Sequence, residues 1–237
     1  MREGSTALPA ELAKLSSLAI VTRVIAEPSL VKLAGAILES RATHPRAAEA
    51  LADAYASGRA PPWMTAYLLG CMRASATYPV VRSILVSAPG LLAEAYAGVA
   101  LVQIAGDAAR EDLLELLAGP YPRACRDGAM HGLAALRDPS LVSTLFALVR
   151  QGQIASKTAA HIVAINEPGP EDLIGWLGAT QVSDRSIALR IVAAAAKINR
   201  ERKFEPALVQ ATRGALGQES DLPEFLSTWL RQRLSGP

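Results

Sequence analysis

Apolar residues recur at spacings of three and four positions along almost the whole chain. Leu113, Leu114, Leu116 and Leu117 show the pattern, and the segment 141–148 repeats it. This spacing places apolar side chains on one face of an α-helix. An alternation of β-branched and polar residues over more than four positions, which would indicate a half-buried strand, is absent. The sequence therefore predicts an all-α fold.

Proline and glycine mark the helix boundaries, because proline tolerates the first turn of a helix and restricts the residue before it. The clearest starts are at Asp138-Pro139-Ser140 and at residues 167–170. The predicted helices span residues 9–25, 29–41, 45–57, 61–74, 78–87, 89–105, 108–118, 122–136, 139–150, 153–165, 169–178, 183–199, 205–216 and 221–234.

One type of helix recurs in the middle of the chain, as a run of small residues that ends in an aliphatic residue and a polar turn. The runs end at Ile104, Leu136, Ile165 and Ile198, which are 32, 29 and 33 residues apart. A period near thirty residues holds two helices and two tight turns, and such a unit buries its apolar stripe only against its neighbours. We therefore predict a right-handed α-solenoid of antiparallel helix pairs.

The predicted solenoid is a single domain over residues 1–237. Its clearest repeats lie at 78–200, whereas residues 1–60 and 201–237 show helices without a repeat signature. We expect these ends to be atypical capping helices, since a terminal repeat has a neighbour on one side only. The oligomeric state stays open.

The segment from Arg126 to Asp138 reads RDGAMHGLAALRD. It resembles the second helix of the short bacterial HEAT repeats that were first associated with phycobilin lyases, whose pattern is R-x-x-A-A-x-A-L-G-x-L-G-D. The matching positions are Arg126, Ala129, Leu133, Leu136 and Asp138. The resemblance implies a HEAT-like solenoid in which Arg126 and Asp138 bridge consecutive repeats. The helix at 153–165 departs from the pattern, because Ser156 stands where the pattern has arginine.

Three side chains occupy the same variable position of successive second helices. These are His131, His161 and Arg190, which are 30 and 29 residues apart. Equivalent positions in a stacked array lie about 10 Å apart. In HEAT solenoids the second helices line the concave face, so the resemblance implies a column of these residues there, suited to a peptide or an acidic partner.

Aromatic side chains on the two preceding second helices extend this surface. They are Trp63, Tyr67 and Tyr96, and aromatic residues of this kind carry much of the binding energy at protein interfaces. We therefore predict that Trp63, Tyr67, Tyr96, His131, His161 and Arg190 bind another protein or peptide on the concave face.

Charge gives little support to other partners. Twenty-four Lys and Arg residues stand against 22 Asp and Glu residues, a formal charge of +2. This balance argues against nucleic acid and against an anionic membrane surface.

The mean hydropathy of +0.22 is explained by buried helix faces, because no apolar stretch reaches the roughly 20 residues of a membrane span. The N-terminus lacks a signal-peptide pattern, so we expect a cytoplasmic protein.

No catalytic, cofactor-binding or metal-binding residue is predicted. Cys71 and Cys125 lie far apart without ligand-spaced partners and are expected to be buried free thiols. His131 and His161 would be about 10 Å apart, which is too far to share one zinc ion at about 2 Å per bond. No nucleophile elbow or glycine-rich phosphate loop is present.

The sequence thus favours a non-catalytic scaffold and leaves two alternatives open. One is a HEAT-like DNA glycosylase or another nucleic-acid-binding protein, and the other is a chromophore-attachment factor resembling phycobilin lyases. The basic cluster Lys197, Arg200, Arg202 and Lys203 ends a predicted helix, where cations stabilise the negative end of the helix dipole. Phosphate contact is the alternative role, and it would support the glycosylase hypothesis only if Trp176 or Trp229 also faced that groove. We expect both tryptophans to pack in the core instead.

Overall fold

The structure is a computed structural model that describes residues 7–42, 44–87, 90–166, 168–198, 204–218 and 222–234. Within these ranges the fold is all-α and contains no strand, which confirms the predicted fold class. The backbone contacts divide the chain into two compact units, Met1–Leu136 and Arg137–Pro237. The arrangement of the whole chain as one solenoid stays a prediction.

The first unit contains nine described helices. They are α1 (Ala7–Lys14), α2 (Ser17–Ala26), α3 (Val31–Glu39), α4 (Pro45–Ala56), α5 (Pro62–Met72), α6 (Tyr78–Ser87), α7 (Leu91–Ala105), α8 (Arg110–Ala118) and α9 (Arg123–Leu136). Short 3-10 turns precede α3, α6 and α8. Proline opens α4 and α5, where its missing N–H costs nothing because the first helical N–H groups have no partner inside the helix.

Consecutive helices of the first unit pair into hairpins: α2 with α3, α4 with α5, α6 with α7, and α8 with α9. The second helices of these hairpins, α3, α5, α7 and α9, each pack against the next one, and α2 also packs against α4. Each second helix therefore packs against its hairpin partner and against the second helix of a neighbouring hairpin.

The second unit contains six described helices. They are α10 (Leu141–Arg150), α11 (Ser156–Ile165), α12 (Pro170–Leu177), α13 (Val182–Ile198), α14 (Pro206–Gln218) and α15 (Glu224–Leu234). The hairpins are α10 with α11, α12 with α13, and α14 with α15, and across hairpins α11 packs against α13 and α12 against α14. The same kind of hairpin packing thus occurs in both units.

The predicted helix at 9–25 is wrong in one respect, because it is two helices. The break falls at Leu15-Ser16, and the Ser16 side chain accepts a hydrogen bond of 3.2 Å from the backbone N–H of Ala19. A serine in this position satisfies one of the free N–H groups of the new helix. The apolar spacing alone missed the break, since it continues from α1 into α2.

The fully buried positions lie one turn before the ends of the recurring runs. Ile104, Leu136 and Ile165 are half-buried, whereas Leu101, Leu133 and Ile162 are 0% exposed. The period near thirty residues is therefore preserved in the core, with its register shifted towards the N-terminus of each helix. The shift arises because a helical side chain covers the turn that precedes its own Cα. The last turn of each helix faces the loop.

Glycines set the distance between α7 and α9. A Cβ atom on Gly98 would collide with the carbonyl oxygen of Gly128, and one on Gly132 would lie 2.6 Å from the carbonyl oxygen of Gly98. The two helix backbones are therefore in direct contact, which only a residue without a side chain permits.

Ion pairs connect hairpins at positions other than Arg126 and Asp138, whose role as bridges between repeats stays a prediction. Arg126 is exposed and forms no ion pair among the described residues, and Asp138 accepts hydrogen bonds from the backbone N–H and hydroxyl of Ser140. In the first unit the Arg82 Nε on α6 donates to Asp112 Oδ1 on α8 at 2.8 Å. In the second unit Arg150 on α10 lies 3.3 Å from Asp184 on α13. Arg–Asp pairs do connect hairpins, but from other positions.

Candidate functional site

Three of the six predicted binding residues come together in the first unit. The ring centroids of Tyr67 on α5 and Tyr96 on α7 are 5.4 Å apart in an edge-on arrangement. Trp63, one turn before Tyr67, lies 6.5 Å from Tyr96. All three side chains are half-buried. We call Trp63, Tyr67 and Tyr96 the aromatic cluster.

The packing of three consecutive second helices positions this cluster. Trp63 and Tyr67 are four residues apart on α5 and so share one face of the helix. A Cβ atom on Gly35 of α3 would lie 2.5 Å from the Tyr67 ring, so the ring occupies space that a glycine leaves open. Tyr96 on α7 packs against the same Tyr67 ring. The cluster therefore joins α3, α5 and α7.

The phenol of Tyr67 is neutral over the physiological range. Burial raises the pKa of Tyr67 to about 12, and the nearby Cys71, the hydrogen bond between the two side chains and the charge of Glu39 act in the same direction. Burial also raises the pKa of the Cys71 thiol. The cluster thus offers apolar rings and hydrogen-bonding groups without a charge of its own.

Charged side chains lie at the edge of the cluster. Glu39 and Arg73 form an ion pair at 3.5 Å, and their side chains are 49% and 64% exposed. An aromatic centre with a charged, solvent-exposed edge is the usual composition of a protein interface.

The remaining three predicted residues are divided between the units. His131 lies on α9 of the first unit, whereas His161 on α11 and Arg190 on α13 belong to the second. All three are half-buried, and α11 packs directly against α13. The predicted column of these three side chains stays a prediction.

No family model, curated protein or solved structure matches this chain. The resemblance to HEAT repeats therefore rests on the sequence pattern alone and stays a prediction.

Other kinds of site find little support in the part of the chain that the structure describes. No group of three or more His, Cys, Asp and Glu side chains there is arranged to hold a metal ion. No helix of that part is long and apolar enough to cross a membrane. Cys71 and Cys125 are buried and free, as predicted, and burial raises the pKa of the Cys125 thiol as well.

The sequence reasoning missed His44, which has no patterned neighbour in the sequence. It is 5% exposed. Its Nδ1 lies 2.9 Å from the Ser17 hydroxyl and its Nε2 lies 3.2 Å from the carbonyl oxygen of Arg41. Arg41 in turn donates to the carbonyl oxygens of Ala13 and Leu15. Both ring nitrogens are thus engaged, and His44, which directly precedes α4, contacts the start of α2.

Proposed function

We propose that this protein is a non-catalytic scaffold that binds a segment of another protein over the aromatic cluster. The observation that carries the proposal is the meeting of Trp63, Tyr67 and Tyr96 from two stacked helices at half-buried positions. Tryptophan and tyrosine contribute large contact areas at little cost in side-chain entropy, which makes them frequent binding hot spots.

The surroundings of the cluster favour an apolar or aromatic anchor on the partner. The Tyr67 phenol is neutral at physiological pH, and burial raises its pKa further, to about 12. A charged partner group would find its complement at the exposed Glu39–Arg73 pair. An anchor side chain over the rings with polar contacts at this edge would match the ordinary division of an interface into centre and rim.

We also propose that the helix hairpins form a HEAT-like α-solenoid and that His131, His161 and Arg190 extend the binding surface. The hairpin packing within each unit and the common period near thirty residues support this arrangement. A radius of gyration clearly above the roughly 18 Å of a compact domain of this length would support it, and a value at or below 18 Å would contradict it.

The binding proposal can be tested by affinity capture from a lysate of the source cells, followed by mass spectrometry. The wild-type chain is compared with a Trp63→Ala, Tyr96→Ala double variant, and we expect one recovered protein to be lost with the variant. The recovered protein is then purified and titrated against both chains, where we expect affinity to fall at least about thirtyfold, since each hot-spot truncation costs about 1 to 2 kcal/mol or more.

Trp176→Ala is the matched control, because Trp176 is also half-buried and contacts one aromatic ring, Phe146, at 5.6 Å. Helix content by circular dichroism must be equal in all chains. Equal recovery by wild type and the double variant would show that the cluster is a packing feature only.

A further inference from the structure

A groove in the second unit combines cationic and aromatic side chains. Its volume is about 460 Å³, and the described residues that line it are Ala196, Lys197, Trp229 and Arg233. The Lys197 ammonium lies 5.4 Å from the centroid of the Trp229 ring. Lys197 and Arg233 are exposed and Trp229 is half-buried, so both charges and part of the indole are accessible to a ligand. Arg200, Arg202 and Lys203 of the predicted basic cluster lie outside the described residues.

The dipole of α13 accounts for only part of the positive charge of Lys197. Lys197 lies in the last turn of α13, and Arg233 lies in the last turn of α15. A helix C-terminus carries about half a negative charge, whereas each side chain carries a full positive charge. Lys197 forms no ion pair within the described part of the chain, so its ammonium keeps N–H donors for a ligand.

Helix α15 presents an aromatic stripe that ends in a cation. Phe225, Trp229 and Arg233 follow one another at intervals of four residues and so share one face of the helix. Phe225 is 70% exposed, which is more than any other large apolar side chain that the structure describes. A flat apolar surface that leads to two cations suits a ligand with a planar ring at one end and an anionic group at the other.

We propose that this groove binds a phosphorylated small molecule with a planar ring, such as a nucleoside diphosphate. The phosphate lies between Lys197 and Arg233, and the ring lies against the aromatic stripe of α15. Arginine binds phosphate oxygens through two parallel N–H groups and lysine binds them as a point charge, so a diphosphate has oxygens for both. Stacking of a nucleobase on an aromatic side chain adds affinity.

This site is separate from the aromatic cluster. The groove is built from α13 and α15 of the second unit, and the aromatic cluster is built from α3, α5 and α7 of the first. Either proposal can therefore fail without the other.

The test follows the indole N–H signal of Trp229 by NMR in the full chain during titration with ADP at constant ionic strength. The chain has three tryptophans, so a Trp229→Phe variant assigns the signal. We expect a saturable shift of the Trp229 signal, with affinity decreasing from ADP to pyrophosphate to adenosine. The Lys197→Gln, Arg233→Gln double variant should bind ADP at least about tenfold more weakly, because two charge-assisted contacts are lost.

Arg231→Gln is the matched control, because Arg231 is exposed on the same helix but two residues from Arg233, which places it on a different face. We expect this variant to bind ADP within about twofold of wild type. Should the double variant lose helix content, the single Lys197→Gln variant replaces it, with an expected loss of about threefold.

Several results would overturn the proposal. They are no saturable shift up to about 10 mM ADP, an equal shift from sodium chloride alone, or unchanged binding by the lysine and arginine variants. Equal affinity for ADP and pyrophosphate would overturn the role of the planar ring. Tight binding of a single-stranded oligonucleotide with a steep salt dependence, without ADP binding, would show a nucleic-acid surface in place of a small-molecule site.

Discussion

Two helix crossings, one in each unit, are built from different residues. Helices α7 and α9 of the first unit meet at Gly98, Gly128 and Gly132, where added side chains would strike backbone atoms. Helices α11 and α13 of the second unit also pack together, but apart from Ser186 their buried residues are alanine and branched aliphatic residues. The first crossing is therefore fixed by backbone contact and the second by side-chain packing.

The charged contacts between hairpins are also shorter in the first unit than in the second. In the first unit Asp112 accepts hydrogen bonds from the Tyr78 hydroxyl and from Arg82 Nε, both at 2.8 Å. In the second unit Arg150 and Asp184 approach to 3.3 Å, and the Arg150 side chain is 42% exposed. Similar hairpin packing thus depends on specific residues more strongly in the first unit than in the second.

The largest expected effect comes from Gly98→Ala. The new Cβ would collide with the Gly128 carbonyl and force two backbones apart, so we expect a loss of about 4 kcal/mol in unfolding free energy. Gly214→Ala on α14 is the control, since a Cβ there meets nothing within 4 Å, and it should raise stability by about 0.5 to 1 kcal/mol. Urea denaturation followed by circular dichroism measures both. Equal effects of the two substitutions would contradict the backbone-contact account.

Truncation of core leucines should affect both units alike. Leu133 and Leu145 are both 0% exposed, so Leu133→Ala and Leu145→Ala should each lower the unfolding free energy by about 2 to 5 kcal/mol. The same denaturation curves give the values. A loss near zero for either would show that the assigned core face is wrong in that unit.

A smaller difference in lost stability is expected between substitutions of two aspartates, one in each unit. Asp112→Asn removes the charged acceptor for Tyr78 and Arg82, and we expect it to cost about 1.5 to 3 kcal/mol. Asp184→Asn breaks the longer contact of 3.3 Å with Arg150, whose side chain is 42% exposed, and should cost at most about 1 kcal/mol. Thermal unfolding at low and high salt compares them, and the reverse order of the two losses would refute this part of the comparison.

The smallest effect concerns pH. All five tyrosines of the chain lie in the first unit. The pKa of Tyr67 is about 12 in the folded chain and about 10 when unfolded, so the folded state favours the neutral phenol. This stability is fully present below pH 10 and is lost as pH rises from about 10 towards 12.

We therefore expect the Tyr67→Phe variant to lose less stability than wild type between pH 9 and about 10.5. The urea midpoint at several pH values measures this difference. The Gly214→Ala variant, which changes no titratable group, should follow wild type. A Tyr67→Phe curve parallel to that of wild type would contradict the burial of the phenol.

Sequence reasoning succeeded where the apolar period was long and the punctuation was strong. The start of α10 after Asp138-Pro139-Ser140 falls within two residues of the prediction. It failed at Ser16, where a single cap interrupts an unbroken apolar pattern. Spacing gives the period near thirty residues, but it does not show that Leu101 and Leu133 are 0% exposed whereas Ile104 and Leu136, which end the same runs, are half-buried.

The two candidate sites also differ in how far the sequence predicts them. The aromatic cluster could be anticipated, because Trp63 and Tyr67 share a helical face and Tyr96 lies on the next second helix. The groove at Lys197 and Trp229 could not be predicted outright. Sequence reasoning states only the condition that a tryptophan faces the basic cluster, because 32 residues separate the two side chains and no repeat relates them. Contacts set by tertiary packing alone leave no periodic signal in the sequence.

The most direct test of the account is photo-crosslinking from the aromatic cluster in the source cells. Trp63 is replaced by the photoreactive residue p-benzoylphenylalanine, which keeps an aromatic ring at the site, and the same replacement at Trp176 is the control. We predict one discrete crosslinked adduct from position 63 and none of that mass from position 176. No adduct at position 63, or the same adducts from both positions, would contradict a binding role for the aromatic cluster.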